Sequence, residues 1–309
     1  MTSTSRTLVS IWPDAQRLEP PVILLQARDL RRDFGAVRAV NGVSFDLHDT
    51  EVLSIIGPNG SGKTSTINLL TGLLRPDAGT IELRGRRIDR LSTERIAELG
   101  VRRTFQNGRV FAGMTVAENV YVGLYSQLTA SRPLSRLRHL PVLRWIPLLA
   151  ELVLALVPPP RVRRENAATE REIDEQLARF DQRLAPRRAH LAYTLSYANR
   201  RRTEIARALV SKPAVLLLDE PTAGMNQTET AEVLAQLLEL KAQGQAMLLV
   251  EHKIDLVMKL SDRVIVMDNG TVIADGTPDE VRGNERVIEA YLGRRREQPT
   301  AAPAGQEGR

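Results

Sequence analysis

No cysteine occurs anywhere in the 309 residues, which excludes disulfide scaffolds, thiolate metal sites and thiol catalysis and suits a reducing compartment. Aromatic residues make up only 4% of the chain, too few for a core or ligand surface built on stacked rings. Nowhere do about 20 uncharged apolar residues run together, the length a spanning helix needs. Residues 1–21 mix Ser, Thr, Pro and scattered charge without an apolar centre, so they are no secretory signal. These absences predict a soluble or peripheral protein with an N-terminal extension over residues 1–21. Residues 294–309 are rich in Arg, Gln, Pro, Ala and Gly and are expected to be a disordered tail.

Apolar residues reach 42%, enough for a sizeable core, and the net charge is +6. Nucleic acid and anionic membrane surfaces are therefore both conceivable partners. Much of the basic excess falls in residues 132–171 and in Arg200, Arg201 and Arg202, and it reads as a solvated basic face.

Short apolar runs alternate with helical patterns from residue 22 onward. Leu53-Ser54-Ile55-Ile56 ends at a glycine, Val215-Leu216-Leu217-Leu218 at an acid pair, and Ala246-Met247-Leu248-Leu249-Val250 at Glu251-His252. Continuous runs of this length suit strands covered on both faces, as in a parallel sheet. A later pair of strands flanks Asn269-Gly270 and reads as a hairpin. Between Gln106 and Ser196 the pattern turns helical: Ile173, Leu177, Phe180 and Leu184 form one apolar stripe of an otherwise charged helix. The fold class predicted is α/β, with a mostly helical piece inserted.

Gly57-Pro58-Asn59-Gly60-Ser61-Gly62-Lys63-Thr64 matches the phosphate-loop pattern, and a strand runs in and a helix runs out as that pattern requires. Its glycines allow a tight turn that brings N–H groups onto phosphates, and the helix N-terminus adds partial positive charge. Lys63 suits the β and γ phosphates and Thr64 a Mg²⁺ ion, and Ser65 beside them is expected among the nucleotide-binding residues. Asp219 and Glu220 follow an apolar strand, where a doubly wound sheet opens its crevice. Beside a phosphate loop, Asp219 is placed to hold Mg²⁺ through water, and Glu220 to orient or deprotonate an attacking water.

The order and spacing of the phosphate loop, Gln106, the segment from Leu195 to Arg202, the acid pair and His252 resemble an ABC-type ATP-binding domain over nearly the whole chain. The finer resemblance is to the ATPase subunits of branched-chain amino acid importers. It is carried by Arg103-Thr104-Phe105-Gln106-Asn107, Met114-Thr115-Val116-Ala117-Glu118-Asn119-Val120, Arg201-Arg202-Thr203-Glu204-Ile205-Ala206-Arg207-Ala208-Leu209 and Ile273-Ala274-Asp275-Gly276-Thr277-Pro278. The resemblance implies a RecA-like core with an antiparallel β portion over residues 22–293. A helical subdomain at about 107–205 would carry a basic and apolar insert at about 126–165. It implies that Gln106 senses Mg²⁺ and the γ phosphate, that His252 contacts the γ phosphate, and that Phe34 stacks on adenine, core packing at the start of a strand being the other reading of Phe34. Leu195-Ser196-Tyr197-Ala198-Asn199-Arg200 stands where the family has its signature loop and would cap the ATP of a partner subunit. Ala198 departs from the family by standing where a glycine is expected. It is harmless on a helical backbone and strained by roughly 1–2 kcal/mol on a left-handed one. Within the apolar segment at 140–157, Pro147 suits a first helical turn and Pro158 the stop, so the helix would be only ~16 Å long at about 1.5 Å per residue, too short to span a bilayer. It would meet permease, lipid or its own core.

The resemblance further implies ATP and Mg²⁺ as cofactors, and a second ATPase domain, identical or sister, as partner. Two membrane permeases and, indirectly, a solute-binding protein complete the assembly at the cytoplasmic face of the membrane. No nucleic acid is expected. Two other readings are an ATP-binding regulatory subunit with weak turnover, motivated by the altered signature, and a nucleic-acid-associated ATPase, motivated by the basic charge.

Overall fold

The computed structural model describes residues 22–104, 110–128 and 159–292. Gln106, the apolar segment at 140–157 and both tails lie outside the described residues.

Two sheets enclose the phosphate loop. The first is antiparallel, in the order β2 (Val37–His48), β1 (Ile23–Phe34), β4 (Ala78–Leu83), β5 (Arg86–Arg87). The second runs β10 (Thr271–Gly276), β9 (Arg263–Asp268), β3 (Val52–Ile56), β8 (Met247–Val250), β7 (Val215–Asp219), β6 (Val101–Arg103). Its strand pairs are parallel except β9 with β10. That last pair is the expected hairpin, turned by Asn269 at φ 45° and Gly270 at φ 78°. Both central residues have positive φ, as the tight turn that matches strand twist requires.

Every residue of β3, β7 and β8 is buried, which explains why these strands read as unbroken apolar runs. Their side chains alternate between two cores. Leu53, Ile55, Leu217 and Leu248 join Leu25, Leu30, Val43 and Leu47 of the antiparallel sheet around Ile67 and Leu70. Val52, Leu216, Leu218 and Leu249 point the other way, into helices Val116–Leu124, Tyr197–Leu209 and Gln227–Ala242. Each such leucine removed from water contributes about 1.5–3 kcal/mol, so the central strands anchor both layers at once.

The apolar stripe predicted on one helix is divided between two. Helix Pro160–Ala178 carries Ile173 and Leu177, then stops, and Phe180 and Leu184 belong to the turn and short helix Asp181–Leu184 that follow. The chain tightens at the junction, where Phe180 N–H donates to Leu177 O, three residues back. All four side chains still enter the same core as Leu216 and Leu218. The helical piece therefore shares its interior with the sheet instead of enclosing one of its own.

Candidate active site

In the second sheet β3, β8 and β7 lie side by side and parallel, so their carboxyl ends meet at one edge. There β3 opens into residues 57–65, β7 ends at Asp219 and Glu220, and β8 at Glu251 and His252. The edge collects the three motifs that are far apart in the chain.

Close packing dictates two glycines of the phosphate loop. A Cβ on Gly57 (φ 150°) would lie 2.1 Å from Met267 O, and one on Gly62 (φ 100°) 2.3 Å from Ala39 O. Gly60 (φ 82°) has open space around it, so there only the backbone conformation favours glycine. Asn59 and Gly60 form the exposed tip, Ser61 is buried, and Thr64 and Ser65 occupy the first turn of helix Lys63–Leu70 with Thr64 exposed. Gly62 caps that helix without a side chain, leaving its leading N–H groups directed at the loop, an arrangement suited to an anion. Lys63 is buried and its Nζ donates to Gly57 O (2.8 Å) and Pro58 O (2.9 Å). Burial pushes its ammonium below the ordinary lysine range, and the nearby charges of Glu220 and Asp219 oppose that shift.

Glu220 has a left-handed backbone, φ 48°, with its N–H bonded to Val250 O at 2.8 Å. Its Oε1 lies 2.9 Å from His252 Nε2. An ionised carboxylate only accepts, so that ring nitrogen carries the shared proton when Glu220 is charged. Asp219 is almost wholly buried and takes Arg103 Nη2 on Oδ2 at 2.7 Å. Its other oxygen, Oδ1, is buried without a hydrogen-bond partner among the described residues. No group of three metal-binding side chains gathers among the described residues. For a cation beside the loop the edge offers two oxygens without another role among the described residues, Asp219 Oδ1 and the exposed Thr64 hydroxyl. That donor set fits Mg²⁺, which keeps most of its waters and takes one or two protein oxygens.

Two arginines read from sequence as part of a solvated basic face are instead buried. Arg201 is fully covered, its guanidinium pairing with Glu204 (2.8 Å) and donating to the carbonyls of Asp219 and Glu220, both at 2.8 Å. Arg202 pairs with Glu232 (2.5 Å) and donates to Asn199 Oδ1 (2.8 Å). In each, both terminal nitrogens of the guanidinium have partners, which is what makes an interior arginine tolerable. Arg201 thus clamps the strand end that carries the acid pair.

Glu251 and Lys253 also escaped sequence reasoning. The buried Glu251 carboxylate accepts from Thr222 N–H (3.1 Å) and hydroxyl (2.5 Å), and from His252 N–H (2.9 Å) and Lys253 N–H (3.3 Å). Lys253 Nζ donates to Thr222 O (3.1 Å), Met225 O (3.1 Å) and Thr230 Oγ1 (2.6 Å). Together they lock the turn after Glu220 to the segment that bears His252. Their signal was position, one on each side of a singled-out histidine.

Ser196 caps helix Tyr197–Leu209, accepting from Asn199 N–H at 3.3 Å. Ala198 lies in that helix with its methyl in the apolar core beside Leu195, Ile205 and Leu218. Of the two conformations considered for it, the helical and unstrained one is found. Tyr197 is half exposed and its ring lies against Gly224, where a Cβ would come within 3.3 Å. Asn199 is buried, and Arg200 folds back onto Leu195 O (3.1 Å) and Tyr193 O (2.6 Å). Phe34 is exposed at the end of β1, with the Arg32 guanidinium 5.1 Å from its ring centroid, so it is not a core residue.

The ABC transporter family model matches residues 40–223. A second, for the branched-chain amino acid ATP-binding cassette transporter, matches residues 271–297. The chain is 40% identical over 271 residues to the high-affinity branched-chain amino acid transport ATP-binding protein LivG of Salmonella typhimurium, spanning 87% of this chain and 98% of that one. It is 38% identical to BraF of Pseudomonas aeruginosa, a protein of the same description, again over 87% and 98%. Among solved structures it is similar to the ADP conformation of MJ1267, an ATP-binding cassette of an ABC transporter. The TM-score is 0.68, with 29% identity over 88% of this chain and 99% of that one.

Proposed function

The chain belongs to the ABC transporter family as an ATP-hydrolysing transport ATPase, and on that premise we propose that Glu220, oriented by His252, activates the water that attacks the γ phosphate. The observation that carries this reading is the 2.9 Å contact between the two side chains at the sheet edge that also holds the phosphate loop. Lys63 exchanges its bonds to Gly57 O and Pro58 O for phosphate oxygens, and the leading N–H groups of its helix cradle the same group. Bound through Asp219, Thr64 and Gln106, Mg²⁺ would neutralise charge on the β and γ phosphates. Glu220 accepts the proton of the attacking water while His252 holds the carboxylate in place. Phe34 offers its ring to the adenine.

Ser196, Tyr197, Ala198 and Asn199 present a helix N-terminus to ATP held on the phosphate loop of a second ATPase domain, a copy or a sister subunit. Closure of that pair is favoured by ATP because only the closed form contacts it from both sides. The relatives' descriptions support branched-chain amino acids as the solute. Two membrane permeases and a solute-binding protein complete the importer, with this chain peripheral at the cytoplasmic face. No helix of the described residues is long and apolar enough to cross a membrane, in keeping with a peripheral place. The test is Mg²⁺-dependent ATP hydrolysis and leucine uptake by the reconstituted complex. Loss of both with Glu220→Gln supports the reading, and unchanged turnover refutes it.

A further inference from the structure

Arg103 ends β6, pairing in register with Leu217 of β7 two residues before Asp219. Its side chain is 7% exposed and that of Asp219 1%. One arm of the guanidinium, Nη2, meets Asp219 Oδ2 at 2.7 Å. The other, Nη1, donates to Asn68 Oδ1 at 2.6 Å and reaches Thr71 Oγ1 at 3.4 Å. Asn68 lies on helix Lys63–Leu70, which also bears Thr64. One planar group therefore ties the strand end carrying Asp219 to the helix carrying Thr64. A lysine, a point charge on a flexible stem, cannot serve both in fixed directions.

We infer that Arg103 is a positioning residue for the Mg²⁺ site. It occupies one oxygen of Asp219, leaves Oδ1 as the oxygen that receives the metal's water shell, and fixes the spacing between that oxygen and Thr64. The inference rests on the reading of Asp219 and Thr64 as the Mg²⁺-binding pair. An ion pair that only offset the burial of Asp219 would have no need of Asn68, and its loss would lower stability without regard to metal. A group that orients a metal ligand typically changes metal affinity by 10–100-fold when removed.

The experiment is calorimetric titration of ATP in a Glu220→Gln background, where turnover is blocked, with Mg²⁺ and with EDTA. The gain in ATP affinity due to Mg²⁺ is compared in the parent, Arg103→Lys and Asn68→Ala. We expect Arg103→Lys to keep the metal-free affinity and to lose about tenfold or more of the Mg²⁺ gain. Asn68→Ala, which leaves the ion pair, should show a smaller loss in the same direction. If Arg103→Lys does not fold, Asn68→Ala decides: a reduced gain supports the inference, and an unchanged gain overturns it. Variants that melt earlier but retain the full gain reduce Arg103 to a structural partner. A parent that binds ATP equally with and without Mg²⁺ overturns the metal reading itself, and the inference with it.

Discussion

His252 Nε2 and Glu220 Oε1 stand 2.9 Å apart across the ends of β8 and β7. Register sets this distance: Asp219 pairs with Val250, so the next residues leave the sheet together, and the left-handed turn at Glu220 aims its side chain back toward the histidine. The pair is a product of strand alignment, and the loops around it hold that alignment.

Removing the carboxylate charge leaves the shape of the edge intact. Glu220→Gln should bind ATP as the parent does and lose about 10²-fold or more in turnover. His252→Ala should fall in kcat more than in KM. Equal loss of ATP binding in either variant would contradict these roles.

Glu251 is buried and accepts four hydrogen bonds, from Thr222, His252 and Lys253. Glu251→Ala leaves those donors without their acceptor and should destabilise the protein by about 3 kcal/mol. Urea unfolding checks the number. The turnover of the folded fraction should fall as well, because His252 loses the bond that fixes its backbone.

Ala198 sits in a helix with its methyl in the core, so a glycine there restores the family pattern at a structural cost. Ala198→Gly should lower stability by about 1 kcal/mol and leave turnover unraised. A clear rise in ATP hydrolysis would show that the methyl restrains the signature loop.

The phosphate-loop glycines should differ in tolerance. Gly57→Ala and Gly62→Ala push a methyl into backbone oxygens and should abolish ATP binding. Gly60→Ala meets open space and should cost only about 1–2 kcal/mol of backbone strain. Melting curves with and without ATP would separate the three.

Bonds from the Thr115 N–H and hydroxyl hold the Glu118 carboxyl below the usual range. A depressed folded value contributes stability that is complete above the unfolded value of about 4.3 and is lost as pH falls through the folded one. Glu118→Gln should therefore be less stable than the parent at pH 7. The two should converge in acid, as denaturation at a series of pH values would show.

The β-strands, the hairpin turn and the phosphate loop were legible because each depends on local pattern: unbroken apolar runs, Asn-Gly, glycines at fixed spacing. The acid pair and His252 were legible because each ends such a run. Arg103, Arg201 and Glu251 were not. A charged residue in a sequence window reads as solvated, and only tertiary structure supplies the Asp219 carboxylate, the strand-end carbonyls or the ring of donors that pays for burying it. The break after Ala178 was missed for a related reason, since Phe180 and Leu184 stay in phase with the helix before them although the chain has left it.

The φ of 48° at Glu220 has an evolutionary reading. Glycine and asparagine adopt that region readily, and glutamate does so at roughly 1–2 kcal/mol of strain. A directed search for heat tolerance alone, blind to ATP turnover, should therefore drift toward glycine or asparagine at this residue. Sequences recovered from such a search would mark, by what they discard, a residue kept for the proposed activation of water at the expense of conformational ease.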